Sequence, residues 1–158
     1  LTGADLGRAS LAGARCVRAN LTNVNLFWGD LKRADLTEAN LSCSRLVRAS
    51  LIGADLTGAD LSNATMIEAD MRNANLTQAN LRSANMNGAD LSRAVMRGAD
   101  FNLAMIRDSM WIATDVRGAS FKQASLHRSD FTLAKWDDTT AFPDNFDPED
   151  TGPKDVND

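Results

Sequence analysis

The chain contains one histidine, His127, and no tyrosine, so acid–base chemistry near neutral pH would have to use that imidazole or a pair of carboxylates. His127 is followed by Arg128 and has no second His or Cys nearby. A lone imidazole builds neither a metal centre nor a Ser/His/Asp relay without partners. Asp55, Asp60 and Asp70 resemble paired catalytic carboxylates, but Asp or Asn returns at the same position along most of the chain, so the repeat accounts for them. They are expected to bond neighbouring backbone or stacked amides such as Asn20, Asn40 and Asn80. The glycines precede no helix that could receive a phosphate. No catalytic, cofactor-binding or metal-binding residue is assigned, and the sequence reads as that of a non-enzyme.

What positions these side chains is a five-residue phrase. Leu51 to Asp60 carries it twice: an apolar centre, two variable residues, a small residue, and Asp. Counting in fives from Leu1 to Trp136 gives 28 centres, all apolar, and 21 of the 27 small positions are Ala. The other six, Val24, Gly29, Ser44, Ser109, Thr114 and Ser129, are also compact. In a helix a period of five would swing successive centres by about 140°, so no apolar stripe would form. The small residue and the centre lie two apart, which is strand spacing and points both inward, with the Asp or Asn between them outward. Five is odd, so each phrase must contain a corner, and it falls on the two variable residues. The second corner position collects seven of the ten Gly, together with Asn23, Asn63 and Asn73, as a type II turn requires. Arg, Glu or Gln at that position reads as a different turn type.

An unbroken tandem of Ala-Asp/Asn-Leu-x-x resembles the pentapeptide-repeat family over Leu1 to Trp136. The resemblance implies an all-β fold, a right-handed, four-sided β-helix with one phrase per side and four phrases per coil. About seven coils would then form a rod roughly 30 Å long. The stretch Phe142-Pro-Asp-Asn-Phe146-Asp-Pro-Glu is similar to a tail found after the repeats in cyanobacterial members. Residues 137–158 are accordingly read as a cap, about 137–148, followed by an acidic, disordered tail. Trp136, Phe142, Pro143 and Phe146 are too apolar for open solvent and are expected to cover the end of the rod.

Charge divides unevenly. The repeats hold 16 basic and 13 acidic residues, whereas residues 137–158 hold one Lys and eight acids. The family's charge-mimicking inhibitors of type II topoisomerase need a strongly negative rod, so a slightly positive one argues against that alternative. Basic residues interleave with Asp100, Asp108, Asp115 and Asp130 and lack aromatic companions, which argues against nucleic-acid binding. No apolar run reaches membrane-spanning length. Cys16 is an inward centre and Cys43 an outward corner more than one coil away, so no bridge is expected and the cytoplasm is the default compartment. Leu1 opens in mid-pattern without Met, and the natural N-terminus is expected to have been trimmed.

Function must then lie on outward columns, with a protein partner of unknown identity or a second copy in a homodimer. Stacking every fourth phrase places Phe27, Val47 and Ile67 in one column, with Trp28 beside it and Ile52 assigned to the same corner. These five form the first candidate interaction patch. Val95, Leu103, Met105, Met110, Ile112 and Leu133 form a second, which serves as a partner surface or as a docking face for the tail. Trp111 at an inward centre, among Phe101, Phe121 and Phe131, predicts widening or local distortion of the late coils.

Overall fold

The computed structural model describes residues 1–151. Parallel β-bridges recur every five residues from Asp5 with Asn25 to Asp115 with Lys135, and each joins residues 20 apart. Successive bridges therefore fall into four columns, one per side, and make a four-sided parallel β-solenoid. The register runs without interruption through Met105 to Thr114, where the repeat is poorest. The one helical element among the described residues is the short 3-10 turn Pro148–Asp150.

The five-residue phrase survives because it satisfies nearly all of its own backbone donors. In the phrase beginning at Leu56, the centre N–H donates to Asn75 O in the next coil, the Gly58 N–H to Thr77 O, and the Ala59 N–H back to Leu56 O across the corner. The Asp60 N–H donates to Ala39 O in the preceding coil. The remaining donor, the first-corner N–H of Thr57, is taken by the Asp55 carboxylate two residues earlier at 3.0 Å. A buried or half-buried sheet cannot leave such a group unpaired, and Asp or Asn is the side chain that reaches it. The same bond recurs from Thr22 to Asn20, Phe27 to Asn25 and Thr77 to Asn75. Amides also ladder between coils, as when Asn80 donates to Asp60 at 3.0 Å. The acidic columns are thus structural.

The second corner position is uniform where the sequence reading divided it. From Gly3 to Leu133 it is left-handed in every phrase, with φ between 54° and 70°, whether occupied by Gly, Arg, Glu, Gln or Trp. The expectation of other turn types at Arg, Glu and Gln is therefore wrong. A left-handed L-residue costs about 1–2 kcal/mol, and two inter-coil hydrogen bonds per corner override it. A signal was present: none of the 27 second-corner residues is β-branched, although Thr, Val and Ile are common one position earlier.

The interior is filled by the centres and small residues, which from Leu21 to Phe121 are withdrawn from solvent. Late in the rod the centres become an aromatic stack, with Phe101 and Phe121 parallel at 4.8 Å and Trp111 and Phe131 parallel at 5.0 Å. Local distortion does occur, one phrase before Trp111. The corner at Ile106 has no Ser109 N–H bond to the Ile106 carbonyl; that oxygen accepts instead from the Ser109 and Ser129 hydroxyls. Trp111 itself is accommodated because its Nε1–H donates to Ser109 Oγ at 2.7 Å.

At the far end the step lengthens. Ser120 pairs with Ala141, 21 residues on, and Phe142 stacks on Phe121 at 5.3 Å while Phe146 meets Phe131 edge-on at 5.3 Å. Thr151 Oγ1 accepts the Phe131 N–H, one of the edge donors left at the last coil. Residues 152–158, the end of the segment read as disordered, lie outside the described residues.

Candidate interaction surface

Phe27, Val47 and Ile67 occupy the same first-corner position in successive coils. The Trp28 N–H donates to Val47 O at 3.0 Å and the Arg48 N–H to Ile67 O at 2.9 Å, which stitches the column together. All three side chains are half-buried, and Trp28 is 51% exposed. Phe27 and Trp28 meet edge-on with centroids 6.3 Å apart. Two guanidiniums cover them: Arg45 lies 4.8 Å from the Phe27 centroid and Arg48 5.5 Å from that of Trp28. Arg48 Nε also bonds Glu68 at 2.6 Å, which keeps Arg48 charged and in place.

Ile52 belongs elsewhere. It is a first-corner residue of the next corner, where the Arg33 N–H reaches Ile52 O and the Gly53 N–H reaches Arg72 O. One whole side of the coil, carrying Ser50, separates it from Val47. Five residues move the chain on by a full side. Arg45 is the residue that the sequence reading missed. Its signal was an Arg standing where most phrases carry Asp or Asn, in the coil that also holds Val47.

The second group does not converge on one face. Met105 pairs with Ser125, Met110 with Asp130 and Val95 with Asp115, and these bridges belong to three different sides. Leu103 sits at the corner before Met105, whereas Ile112 and Leu133 sit at the corner after Met110. Leu103, Met105, Met110 and Leu133 are exposed, Leu133 by 75%, and Val95 and Ile112 are half-buried. The apolar residues of the tail pack on the end of the core instead.

Charges on the late coils are largely paired. Asp115, 9% exposed, accepts from Arg97 at 2.7 Å and from Arg117 at 2.7 Å. The Arg117 hydrogen bond, against the opposing effect of burial and with help from Arg97, holds its carboxyl well below the usual range. Asp108 is likewise lowered, chiefly by its hydrogen bond from Arg128 at 2.6 Å. His127 lines a groove of about 690 Å³ between the last coil and the cap, with Arg128, Asp130, Phe146 and Asp147. The polar groups there are engaged in structure: Asp130 accepts the Thr132 N–H and Asp147 the Glu149 N–H. Among the described residues no side-chain hydrogen bond joins His127 to a nucleophile or a carboxylate.

A family model described as pentapeptide repeats matches residues 1–37, 30–66 and 74–109, in eight copies. No curated protein matches the chain. Among solved structures, HetL of the cyanobacterium Nostoc sp. strain PCC 7120, a pentapeptide repeat protein involved in heterocyst differentiation regulation, is 23% identical, with 91% of this chain and 74% of HetL covered at a TM-score of 0.34. Rfr23 of the cyanobacterium Cyanothece 51142 is 23% identical over 89% of both chains, at a TM-score of 0.40. QnrB1, a plasmid-mediated fluoroquinolone resistance protein, is 19% identical over 85% of this chain and 78% of its own, at 0.42.

Proposed function

We propose, from the premise that this chain belongs to the pentapeptide-repeat family, that it is a non-enzymatic interaction scaffold or regulator: a right-handed rod of about seven coils, each of four phrases, contacting a protein partner through an outward column. The observation that carries this is the Phe27, Val47 and Ile67 column with exposed Trp28 at its edge. An interior filled by centres and small residues has no room for substrate, so recognition falls to the outside. A solvent-facing aromatic beside aliphatic residues and arginine has the composition of interface hot spots. Charge mimicry finds less support, since Asp70, Asp100, Asp108 and Asp115 are each paired to arginine.

No helix among the described residues is long and apolar enough to cross a membrane. Cys16 and Cys43 are both free, which supports a reducing compartment such as the cytoplasm. The test is affinity capture from the source organism with the whole chain, with Phe27→Asp and with Gln78→Asp as a control on another corner. A partner lost with Phe27→Asp and kept with Gln78→Asp supports the reading. A partner kept by both variants removes the column from the binding surface.

A further inference from the structure

Resting on that reading, we infer what docks on the column: an amphipathic helix with acidic flanks, lying along the rod axis. Spacing selects the helix. One coil raises the column by about 4.8 Å, so Phe27 to Ile67 spans about 9.6 Å. A helix presents same-face side chains every turn, about 5.4 Å, and residues i and i+7 lie about 10.5 Å apart, so its ridge stays in step over three coils. An extended strand repeats a face only every 6.6–6.8 Å or so and falls out of step at once.

Charge selects the flanks. On one side of the column stands Arg45, and on the other Arg8 and Arg48, Arg8 donating its N–H to Phe27 O at 2.8 Å. Arg48 is committed to Glu68, whereas Arg45 and Arg8 have no carboxylate within ion-pair distance among the described residues. The nearest acids on the next side are already matched, Asp30 by Lys32 and Asp70 by Arg72. Asp5, the one acid in Arg45's own column, is engaged by the Gly7 N–H and the Asn25 amide, so a guanidinium without an ion-pair partner on each side of an apolar ridge complements an apolar stripe edged with carboxylates and disfavours one edged with lysine.

The experiment uses the whole chain and two fluorescein-labelled 18-residue helical peptides with the same leucine stripe, flanked by Glu in one and by Lys in the other, read by fluorescence anisotropy. The Glu peptide is expected to bind at least tenfold more tightly than the Lys peptide. Arg8→Glu with Arg45→Glu should weaken it at least tenfold, and Phe27→Asp should abolish binding with the circular dichroism and melting temperature unchanged. The double arginine variant serves if Phe27→Asp fails to fold. Equal binding of both peptides, still lost with Phe27→Asp, overturns the acidic helix and leaves the partner surface standing. Binding of neither peptide also overturns it. Binding indifferent to Phe27→Asp overturns both. A wild-type dimer that Phe27→Asp turns into a monomer in sedimentation velocity makes a second copy the occupant, and again only the helix falls.

Discussion

The indole N–H of Trp111 donates to the hydroxyl of Ser109, two residues earlier on the same inward face, at 2.7 Å. Ser109 Oγ lies 3.0 Å from Ser129 Oγ one coil on, and both hydroxyls reach the carbonyl of Ile106. A tryptophan thus fits inside an apolar rod because two of the small positions hold Ser where most phrases hold Ala. Ser109→Ala strands the indole donor and should cost about 1–3 kcal/mol. Trp111→Phe should recover part of that loss. A double-mutant cycle in chemical denaturation measures the coupling, and additive losses would contradict the pairing.

Ser44 is the contrasting case. It is 1% exposed and its hydroxyl has no partner among the described residues. Ser44→Ala, which installs the residue most phrases carry, is expected to raise stability by about 1 kcal/mol. A lower denaturation midpoint in the variant would argue against it.

Inward and outward positions should separate sharply in the middle coils. Leu56→Ala opens a cavity between stacked centres and should cost about 2–5 kcal/mol. Thr57→Ala removes a half-buried hydroxyl that donates to Asp55 at 2.6 Å and accepts from Asn75 at 2.8 Å, leaves no cavity in the core, and should cost about 1 kcal/mol. Comparable losses for the two would reverse the inward and outward assignment.

Asp115 gives a pH dependence with a defined sign. Its folded-state value lies below the ordinary 3.8, so the unfolded chain takes up the proton first on acidification. The stabilisation from Arg117 and Arg97 is therefore complete above that ordinary value and is lost as pH falls through the folded one. Asp115→Asn should be about 1–3 kcal/mol less stable than wild type at pH 7. The gap should narrow steadily as pH falls from 4 to 2. A constant gap in urea titrations across that range would rule the mechanism out.

The solenoid was legible in the sequence because one physical rule, an apolar centre every five residues, is enforced in every coil, and the Asp or Asn position was readable because its bond is local. The corners were less legible. Arg33 or Glu38 has no intrinsic reason to turn left-handed; inter-coil bonding imposes it, and only the missing β-branched residues record that constraint. The candidate surface was legible as a column, since Phe27, Val47 and Ile67 follow from the period. Arg45 was not, because its role depends on a guanidinium swinging across a corner onto the Phe27 ring, a side-chain trajectory that spacing does not encode. Ile52 and the second group failed for a related reason: closeness in sequence carries a residue around the rod faster than it carries it along.

The 21-residue step from Ser120 to Ala141 closes one face of the stack. A lattice in which each layer repeats the donors and acceptors of the last has no natural length, and an identical layer can add to its growing face indefinitely, as in a fibril. One supernumerary residue, with Phe142 and Phe146 laid over the face it creates, makes that layer unlike those beneath it. It acts as a chain terminator in the polymer chemist's sense: stacking energy accumulates up to it, and the next incoming layer finds no template.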